Sequence, residues 1–534
     1  MANDRRPNIL WVSFEDTNPY YGCYGDLVAR TPNLDRLAAD GCRWPNAFST
    51  TGVCAPSRSA IITGMYPISI GTHHMRTTHA NPNTKGAPMP YHAVVPHYVR
   101  CFTEYLRAAG YYCTNNVKTD YQFEPPVTAW DELSTKAHWR NRPDADQPFF
   151  AVFNPTRTHE SGMWEDKCPE PTFDPSRIEL PPYFPDTPKV RAAMARMYTN
   201  IEESDRELGR LLGQLEEDGL ADNTIVFHWS DHGPLPRGKR WPYDSGIHVP
   251  MIVRWPGGIA PGSVSDDLVS TVDLGPTVLS LTGIEIPWHM QGQAFLGDQA
   301  RPPREYVYAS RDRYDESYDM IRAVRDKRLK YIRNYYPQQP YLLFIPYRNR
   351  HPIMQEMWRL HLEGKLSGPQ KLMFQASRPV DELYDTAADP YEVNNLADDP
   401  AHEGGLIRLR DALDAWLDEV GDMGRMSEAE MVRRWWPNGR QPQTAQPFFV
   451  PINAGNPGQS TASGGVYKSP VLIQLYCATQ GASLTYTFES GAESRWLLYT
   501  DPIRLPEGET AVRAKATRIG YKESDEAAAT FVVE

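Results

Sequence analysis

The sequence predicts an α/β fold over the first part of the chain, with smaller and different parts behind it. From residue 7 to about 300, short β-rich runs alternate with helical stretches, which is the pattern of an α/β layered domain. From about 305 to 435 the chain is more charged and more aromatic, and a stretch rich in Gln, Pro, Asn, Ser, Thr and Gly follows. The predicted parts are an α/β domain over 1–304, a smaller α+β subdomain over 305–437, a linker over 438–469 and an all-β sandwich over 470–534.

Individual elements are marked by their own local signals. Residues 9–14 are apolar except for Ser13, which is typical of a buried strand. Residues 31–41 predict a short helix, because a Thr, a Pro and a Gly stand at the N-cap, at the first helical position and just past the end. Apolar residues at helical spacing predict helices over 201–215 and 401–420, and 223–230 is another buried strand. Alternating segments predict tail strands over 471–477, 483–488, 510–517 and 530–533.

Composition and charge exclude several classes of partner. The chain has 534 residues, 40% of them hydrophobic, and 55 basic against 67 acidic side chains give a net charge of −12. An acidic chain without clustered Lys and Arg is not a general nucleic-acid binder, because affinity for the phosphate backbone comes mainly from such clusters. No apolar run reaches the roughly 18 residues needed to cross a bilayer. We therefore expect neither a nucleic acid nor a membrane as partner.

The N-terminus and the cysteines bear on the cellular compartment. The first residues lead directly into the apolar strand, without the charged, apolar and small-residue regions of a secretory signal. As written, the chain is expected to be cytoplasmic, or periplasmic or secreted if a signal has been removed. Seven cysteines without CxxC pairs indicate neither a disulfide framework nor a zinc cluster. Because seven is odd, at least one thiol has no disulfide partner within the chain.

Polar residues follow two of the predicted strands. Glu15 and Asp16 come after the first strand, and Asp231 and His232 follow the strand over 223–230. In open α/β sheets, ligands lie beyond the carboxyl ends of the strands. Two strand ends more than about 200 residues apart are therefore expected to converge on one pocket.

A cysteine and an arginine stand together in the most informative segment, residues 51–64. Cys54 lies at a predicted loop–helix junction, where backbone N–H groups and the positive end of the helix favour a thiolate or an anionic substrate. Arg58 follows one helical turn later on the same face. The alternative is that Cys54 is a small buried apolar residue and Arg58 an ordinary surface cation.

The run Cys54-Ala55-Pro56-Ser57-Arg58 matches the maturation motif of sulfatases (Cys or Ser, any residue, Pro or Ala, any residue, Arg). Further segments resemble sulfatase signatures in the same chain order: 7–16, 31–41, 222–233, 246–256 and 382–397. Over about residues 7–435 the chain thus resembles the type I, formylglycine-dependent sulfatases of the alkaline phosphatase superfamily. The resemblance implies an alkaline-phosphatase-like fold with a central mixed sheet flanked by helices.

The resemblance also implies a nucleophile and a metal centre. A separate formylglycine-generating enzyme would oxidise Cys54 to an aldehyde, and one hydroxyl of its hydrate would attack sulfur while the other later expels sulfate. The implied ligands of one divalent metal, calcium or manganese, are Glu15, Asp16, Cys54, Asp231 and His232. Two positions depart from the family pattern, because Glu15 replaces an Asp, and His232 replaces the Asn of many calcium sulfatases. Related phosphonate and phosphodiester hydrolases carry His at the latter position.

Further residues match the parts of the family site that hold substrate. Arg58 and Lys118 match the cations that bind the sulfate, although Asp120 stands where the family commonly has His. His159 and Lys239 are expected to protonate or stabilise the leaving atom as general acids. Weaker polar clusters are expected to line the substrate pocket. The predicted substrate-binding residues are His73, His74, Arg76, Asp120, Arg311 and Arg313.

These observations predict a sulfatase that hydrolyses an aryl or sugar sulfate ester, or a sugar sulfamate. The tail resembles the β-sandwich of chitobiases and hexosaminidases, which favours a glycan substrate, although an oligomer contact or a scaffold is an equal alternative. Two other functions stay open: a phosphonate monoester or phosphodiester hydrolase of the same superfamily, and a catalytically silent glycan-binding protein. A homo-oligomer is also compatible with the sequence.

Overall fold

A computed structural model describes residues 6–79, 82–88 and 90–534. Its first part is built on a long central sheet with helices on both faces. The strands are β1 Asn8–Phe14, β2 Cys42–Arg43, β3 Ala47–Phe48, β4 Tyr112–Asn116, β5 Glu132–Leu133, β6 Phe149–Phe153, β7 Thr224–Ser230, β8 Met251–Arg254, β9 Ser263–Val264 and β10 Val269–Ser270. The helices are α1 Pro32–Ala39, α2 Cys54–Thr63, α3 Pro67–Ile70, α4 Phe102–Ala108, α5 Pro188–Glu217, α6 Asp244–Ile247 and α7 Leu274–Leu281.

The central sheet has the strand order β5-β4-β6-β1-β7-β8-β2-β9. The first five strands in this order are parallel to one another, whereas β8 runs antiparallel to β7 and to β2. Strands β3 and β10 form a separate parallel pair. The mixed sheet expected from the resemblance is therefore confirmed, and the carboxyl ends of β4, β6, β1 and β7 lie side by side at one edge.

The apolar run of β1 is explained by burial on both faces of the sheet. Leu10, Val12 and Phe14 belong to the core that α5 covers, and Ile9 and Trp11 face the core that contains residues of α4 and α7. Successive side chains of a strand point to opposite faces, so a strand covered on both sides carries no polar alternation. The predicted helix over 201–215 forms the second half of α5.

The second part is an antiparallel sheet with helices against it. Its strands are β11 Val307–Arg311, β12 Ile321–Arg325, β13 Leu329–Asn334 and β14 Asp381–Asp385, paired in chain order. Its helices are α8 Pro346–Asn349, α9 Pro352–Leu362, α10 Glu403–Val420 and α11 Glu428–Trp435. Helix α10 packs Leu409 and Leu413 on the sheet, whereas Ile353 and Met357 of α9 enter the core of the first part. The two parts therefore share an apolar interior.

The tail is a sandwich of two sheets around its own core. Its strands are β15 Phe448–Asn453, β16 Asn456–Pro457, β17 Gly464–Tyr467, β18 Leu472–Tyr476, β19 Ser483–Thr487, β20 Leu497–Leu498, β21 Ile503–Arg504, β22 Gly508–Thr517 and β23 Ala527–Val533. One sheet has the order β16-β15-β18-β21, and the other has the order β17-β23-β22-β19-β20. Phe449, Ile473 and Phe531 lie in the core between them.

The segment predicted as a linker, 438–469, contains three strands of this sandwich. Strand β15 pairs with β18, β17 pairs with β23, and Phe449 is fully buried. The Gly, Asn and Ser residues that suggested a linker form the turns between these short strands. The apolar run Phe448-Phe449-Val450 indicates a strand, but the polar composition around it led to the linker assignment. The other domain boundaries stay predictions.

The sandwich is docked on the first part through α4. Ser483 Oγ donates to Glu104 Oε1 at 2.6 Å, and Arg107 donates to the carbonyl of Trp496 at 2.7 Å. Gly520 adopts a φ of 88° and lies so close to the chain that a Cβ would approach the carbonyl of Ala93 to 2.3 Å. The sandwich and the first part therefore form one continuous body. Within the described ranges, no helix is both long and apolar enough to span a membrane.

Candidate active site

Polar side chains follow four neighbouring parallel strands, where these strands end at one edge of the central sheet. The register pairs Phe14 with Ser230 and Val12 with Phe153, so the segments that follow β1, β7 and β6 begin at the same level. This adjacency explains how residues far apart in the chain meet. The residues supplied are Glu15 and Asp16 after β1, Asp231 and His232 after β7, Asn154 and His159 after β6, and Lys118 after β4.

Cys54 is the first residue of α2 and lies in the middle of this edge. The whole of α2 is buried, so the helix presents Cys54 to the strand ends and not to solvent. Its Sγ atom lies 3.1 Å from His232 Nε2, 3.7 Å from Glu15 Oε1 and 3.9 Å from Asp16 Oδ1. The structure therefore brings the predicted nucleophile and three of the predicted metal ligands together.

The predicted metal ligands form two overlapping groups. In each group, the donor atoms all lie within 4.8 Å of one another. His159, which the sequence suggested only as a general acid, belongs to one of them. The groups are Asp16, Cys54, Asp231 and His232, and Glu15, Asp16, Cys54 and His159.

The hydrogen bonds of His232 indicate that this cluster fits a cation. A carbonyl oxygen only accepts, so His232 Nδ1, 3.0 Å from the carbonyl of Gly233, carries the proton of the neutral imidazole. Its Nε2 lone pair then points at Asp16 Oδ1 and Cys54 Sγ, each 3.1 Å away. Burial lowers the pKa of His232, which favours this neutral form. Converging lone pairs and carboxylates match a divalent metal that accepts oxygen and nitrogen donors.

The Cys54 thiol is held in its protonated form. Burial raises its pKa well above the usual range. The positive charge of Lys239 lowers this pKa, whereas the negative charges of Asp16 and Asp231 raise it further. Of the two species that the N-terminus of α2 was expected to favour, the thiolate is opposed by desolvation and by these two carboxylates, and the anionic substrate stays a prediction. As a thiol, Cys54 is a poor nucleophile.

Arg58 is positioned for an anion by its fixed partners. Its Nε donates to Asp231 Oδ2 at 2.9 Å, and its Nη1 donates to Asn154 Oδ1 at 3.1 Å. The remaining nitrogen, Nη2, is buried without a hydrogen-bond partner. A buried donor of this kind is costly unless a ligand accepts from it. The alternative that Arg58 is a surface cation is excluded, since its side chain is buried.

Lys118 lies between Glu15 and Asp120. The ammonium of Lys118 pairs with Glu15 and lies 3.7 Å from Asp120 Oδ2. Burial lowers the pKa of Lys118, while the charges of Asp120 and Asp231 act in the opposite direction. Lys118 therefore adds a positive charge next to Cys54, and Asp120 partly neutralises it.

Lys239 lies between the predicted metal ligand Asp16 and the carboxylate of Glu160. Its Nζ lies 2.5 Å from Asp16 Oδ2, 3.1 Å from Glu160 Oε1 and 3.3 Å from His159 Nε2. Although burial alone would lower its pKa, Asp16 and Glu160 raise it, so the ammonium is retained. By contrast, burial and Lys239 lower the pKa of His159 to about 4. Of the two predicted general acids, Lys239 is thus the protonated one near neutral pH.

Glu160, Arg240, Asp315 and Asn154 complete the site and were not predicted. Arg240 pairs with both oxygens of Glu160 at 2.7 and 3.1 Å and with Asp315 at 3.3 Å, and Asp315 holds Arg76 at 2.6 Å. Glu160 and Arg240 directly follow His159 and Lys239 in sequence, which is the only signal that could have pointed to them.

The predicted substrate-binding residues divide into two groups. Arg76 is partly exposed and pairs with Asp315, and Asp120 is also accessible. His73 and His74 are buried, and His74 Nδ1 accepts the backbone N–H of Arg313. Met75, which follows them in the chain, belongs to the same small buried cluster as Cys54.

Arg311 and Arg313 do not line a pocket, contrary to the prediction. Both side chains are fully buried. Arg313 pairs with both oxygens of Glu428 at 2.6 and 2.7 Å, and Arg311 lies over the ring of Trp241 and 3.3 Å from Asp319. Arg313 also donates to the carbonyl of Met75 and so supports the loop that carries it, whereas the three nitrogens of Arg311 are buried without hydrogen-bond partners.

The fold and this site define a hydrolase of the alkaline phosphatase superfamily, and comparison with known proteins identifies the family. The sulfatase family model matches residues 7–284, and the model of the C-terminal part of N-sulphoglucosamine sulphohydrolase matches residues 232–358. The chain belongs to the sulfatase family and is a sulfuric ester hydrolase.

Individual relatives agree with this assignment. An ulvan-active sulfatase of Formosa agariphila is 46% identical over 97% of this chain and 90% of its own. The human N-sulphoglucosamine sulphohydrolase is 28% identical over 79% of this chain and 92% of its own. A solved structure of a protein bound to its substrate D-glucosamine-2-N,6-O-disulfate shares the fold, with a TM-score of 0.56 and 20% identity over 79% of this chain and 100% of that one.

Proposed function

We propose that this sulfatase removes a sulfate group from a sulfated polysaccharide or from a fragment of one. The proposal combines the constellation around Cys54 with the printed activity of the 46% identical relative, an ulvan-active sulfatase. We further propose that a separate maturation enzyme converts Cys54 to formylglycine and that one divalent metal binds beside it. The observation that carries the proposal is Cys54 Sγ at 3.1 Å from His232 Nε2, among the acids that end β1 and β7.

The chemistry requires positive charge and an oxygen nucleophile. The sulfur of a sulfate ester is shielded by negative oxygens, so attack needs charge neutralisation. Formylglycine at position 54 supplies the hydroxyl nucleophile, and the metal, when bound, supplies Lewis-acid charge. The residues that would hold the metal are Asp16, Asp231 and His232, with Glu15 beside them. This donor set admits both calcium and manganese, because carboxylates suit calcium and an imidazole suits manganese.

The chain's own cations bind the sulfate. The unpartnered Nη2 of Arg58 and the ammonium of Lys118 offer donors on two sides of residue 54. Lys239 keeps its proton next to His159, and we propose that this pair stabilises the departing oxygen or nitrogen. Arg76, tied to Asp315, lies where further anionic groups of a sugar would enter.

The experiment that tests the nucleophile replaces Cys54. Cys54→Ala is expected to lower turnover of an aryl sulfate by about 10⁴-fold or more, because no hydrate can form at Ala. Cys113→Ala, at a buried free thiol in β4 that is not part of the cluster around Cys54, serves as the matched control and should keep its activity. In active wild-type protein, the peptide that contains residue 54 should be about 18 Da lighter than its cysteine form, as conversion of CH₂SH to CHO requires. Full activity with an unmodified thiol would contradict the proposal.

A phosphonate monoester hydrolase activity is the second candidate, and His232 is the observation that favours it. Its imidazole stands where many calcium sulfatases have Asn, and it directly contacts Cys54. Rates on an aryl sulfate and on the matching aryl phosphonate, with one preparation and a controlled metal content, separate the two functions. Faster turnover of the phosphonate would make the sulfatase reaction the secondary activity.

A further inference from the structure

One sheet of the C-terminal sandwich turns an apolar face outwards. In the pairing of β15 with β18, Phe448 lies opposite Tyr476, Val450 opposite Gln474, and Ile452 opposite Leu472. The alternate residues Phe449, Ile473 and Leu475 fill the core of the sandwich, so the former set points away from it. Phe448 is 38% exposed and Tyr476 is 53% exposed, and their ring centroids are 5.0 Å apart. We call Phe448, Val450, Leu472, Gln474 and Tyr476 the outer aromatic face.

Two cations stand at the end of this face. Arg504 of β21 lies opposite Leu472 in the sheet, and Lys468 shares an open groove with it. Polar amides, Asn453 and Asn456, line the same groove, and no carboxylate does so among the described residues. In a chain with a net charge of −12, a groove with two cations and no lining carboxylate is a local reversal of sign.

The outer aromatic face is not the surface that docks on the first part. The contacts with α4 and with the segment before it come from Ser483, Trp496, Arg518 and Gly520, which belong to the other sheet or to its loops. Because docking uses the opposite side of the sandwich, the outer aromatic face remains open. Its orientation relative to the active site is nevertheless fixed by those contacts.

We propose that the outer aromatic face and its two cations form an accessory binding surface for a sulfated polysaccharide chain. Flat aromatic rings pack against the C–H faces of sugar rings, and Gln474 and the two asparagines offer hydrogen bonds to hydroxyl groups. Arg504 and Lys468 match the sulfate groups of such a chain in charge. A second copy of this protein is a poorer occupant, since it would not bring the regular row of sugar faces and anionic groups that the rings and the two cations match.

The choice of a sulfated ligand rests on the proposed function, whereas the surface itself is separate from the catalytic site. A polymer held by the sandwich would stay near residue 54 between successive reactions. The surface should therefore affect the KM for a polymer and leave the turnover of a small aryl sulfate unchanged. This difference separates failure of the surface from failure of the proposed reaction.

The test uses the full chain and affinity electrophoresis in gels that contain dextran sulfate or neutral dextran. Retention by dextran sulfate is expected to weaken about tenfold in the double variant Phe448→Ala/Tyr476→Ala, which loses two aromatic contacts. Arg504→Gln is expected to weaken retention by about threefold at low salt and less at high salt. Phe488→Ala removes an aromatic ring of similar exposure elsewhere in the sandwich and should have no effect.

The outcomes separate the proposal from its rivals. Unchanged retention of the double variant, with unchanged thermal stability, would overturn the proposal. Equal retention by neutral dextran would overturn the assignment of the cations to sulfate groups. A double variant that changes only the sedimentation coefficient, from dimer to monomer, would identify the face as a subunit contact instead. If wild-type protein does not hydrolyse the aryl sulfate, the proposed function is contradicted, but the proposal about the outer aromatic face is not.

Discussion

The active site and the interior of the second part both bury arginines against carboxylates, but they differ in how the surrounding acids and imidazoles are arranged. In the interior, Arg313 is matched by both oxygens of Glu428, and Arg322 is matched by Asp312 and Asp422. In the active site, one nitrogen of Arg58 has no partner. The donor atoms of several acids and of His232 also converge there on a single point.

This difference shows that burial of charge alone does not indicate function. A guanidinium that is fully paired inside a protein is a structural element, and it contributes little net stability beyond avoiding the cost of an unpaired charge. A buried donor without an acceptor, beside lone pairs that face one another, is unstable without a ligand. An unpaired donor alone does not mark the site, since Arg311 and Arg348 also bury nitrogens without hydrogen-bond partners. The convergence of several acids and His232 on one point does.

The largest effect that tests this comparison is expected at Asp16. Asp16→Asn keeps the backbone geometry, because Asn tolerates the positive φ of 49° found here. It removes one negative charge from the converging donors, so we expect loss of bound metal and a fall in aryl sulfate turnover of about 10³-fold. Metal content by mass spectrometry and kcat for the aryl sulfate measure the two effects.

The matched control for Asp16 is a carboxylate of the interior cluster. Asp312→Asn should retain the metal, because Asp312 faces only Arg322 and its neighbours. It should instead lower the free energy of unfolding by about 3 kcal/mol, the cost of leaving a buried charge partly unpaired. Loss of metal in the Asp312 variant would remove the distinction between the two clusters.

A smaller effect is expected at Arg58. Arg58→Lys keeps one positive charge but cannot reach Asp231, Asn154 and a sulfate oxygen at the same time, since it lacks the planar fork. We expect kcat/KM for the aryl sulfate to fall about 10²-fold, with the metal content unchanged. An activity within a factor of about two of wild type would show that Nη2 of Arg58 does not contact substrate.

The core of the site was predictable because its residues follow apolar strands or lie in one contiguous motif. Glu15, Asp16, Asp231 and His232 each directly follow an apolar strand, and the Cys54 motif is contiguous. Their convergence was expected because ligands lie beyond the carboxyl ends of strands, whereas the strand order that makes them neighbours was not predicted. The fold of the first part and the core of the site were predictable for these reasons.

The errors arose where a partner is distant in sequence or where composition conceals a strand. Arg313 was assigned to substrate because its partner, Glu428, lies 115 residues further on. Glu160 and Arg240 were missed for the same reason, at a separation of 80 residues. The strand at Phe448–Asn453 was assigned to a linker because turn residues dominate the surrounding composition. Long-range ion pairs leave no local pattern to detect.

A third prediction tests the structural role assigned to Arg313. Glu428→Gln removes the charge that pairs with Arg313, so the free energy of unfolding should fall by about 3 kcal/mol in urea denaturation. The KM for the aryl sulfate should change by less than about threefold, because neither residue contacts substrate. A large rise in KM with unchanged stability would restore Arg313 as a substrate contact.

The smallest effect concerns His351, a buried imidazole outside the residues that hold metal or sulfate. His351 caps α9, where its Nδ1 accepts the N–H of Ile353 at 3.2 Å, and burial lowers its pKa from 6.5 to about 4. Between these two values the unfolded chain binds more protons than the folded protein, so stability falls as the pH drops from about 6.5 to 4. His351→Asn keeps the cap and removes the titration.

We therefore expect the free energy of unfolding of His351→Asn to gain roughly 2 kcal/mol on wild type between about pH 8 and pH 4.5. Urea denaturation of both proteins at the two pH values measures this difference, and the pH 8 comparison subtracts any packing cost of the smaller side chain. A constant difference would mean that His351 is accessible to protons in the folded protein. Because this imidazole is neutral and its hydrogen bond depends on being neutral, it is a third kind of buried polar group. It is neither paired with a carboxylate, as Arg313 is in the interior, nor left with an unpartnered donor, as Arg58 is in the active site.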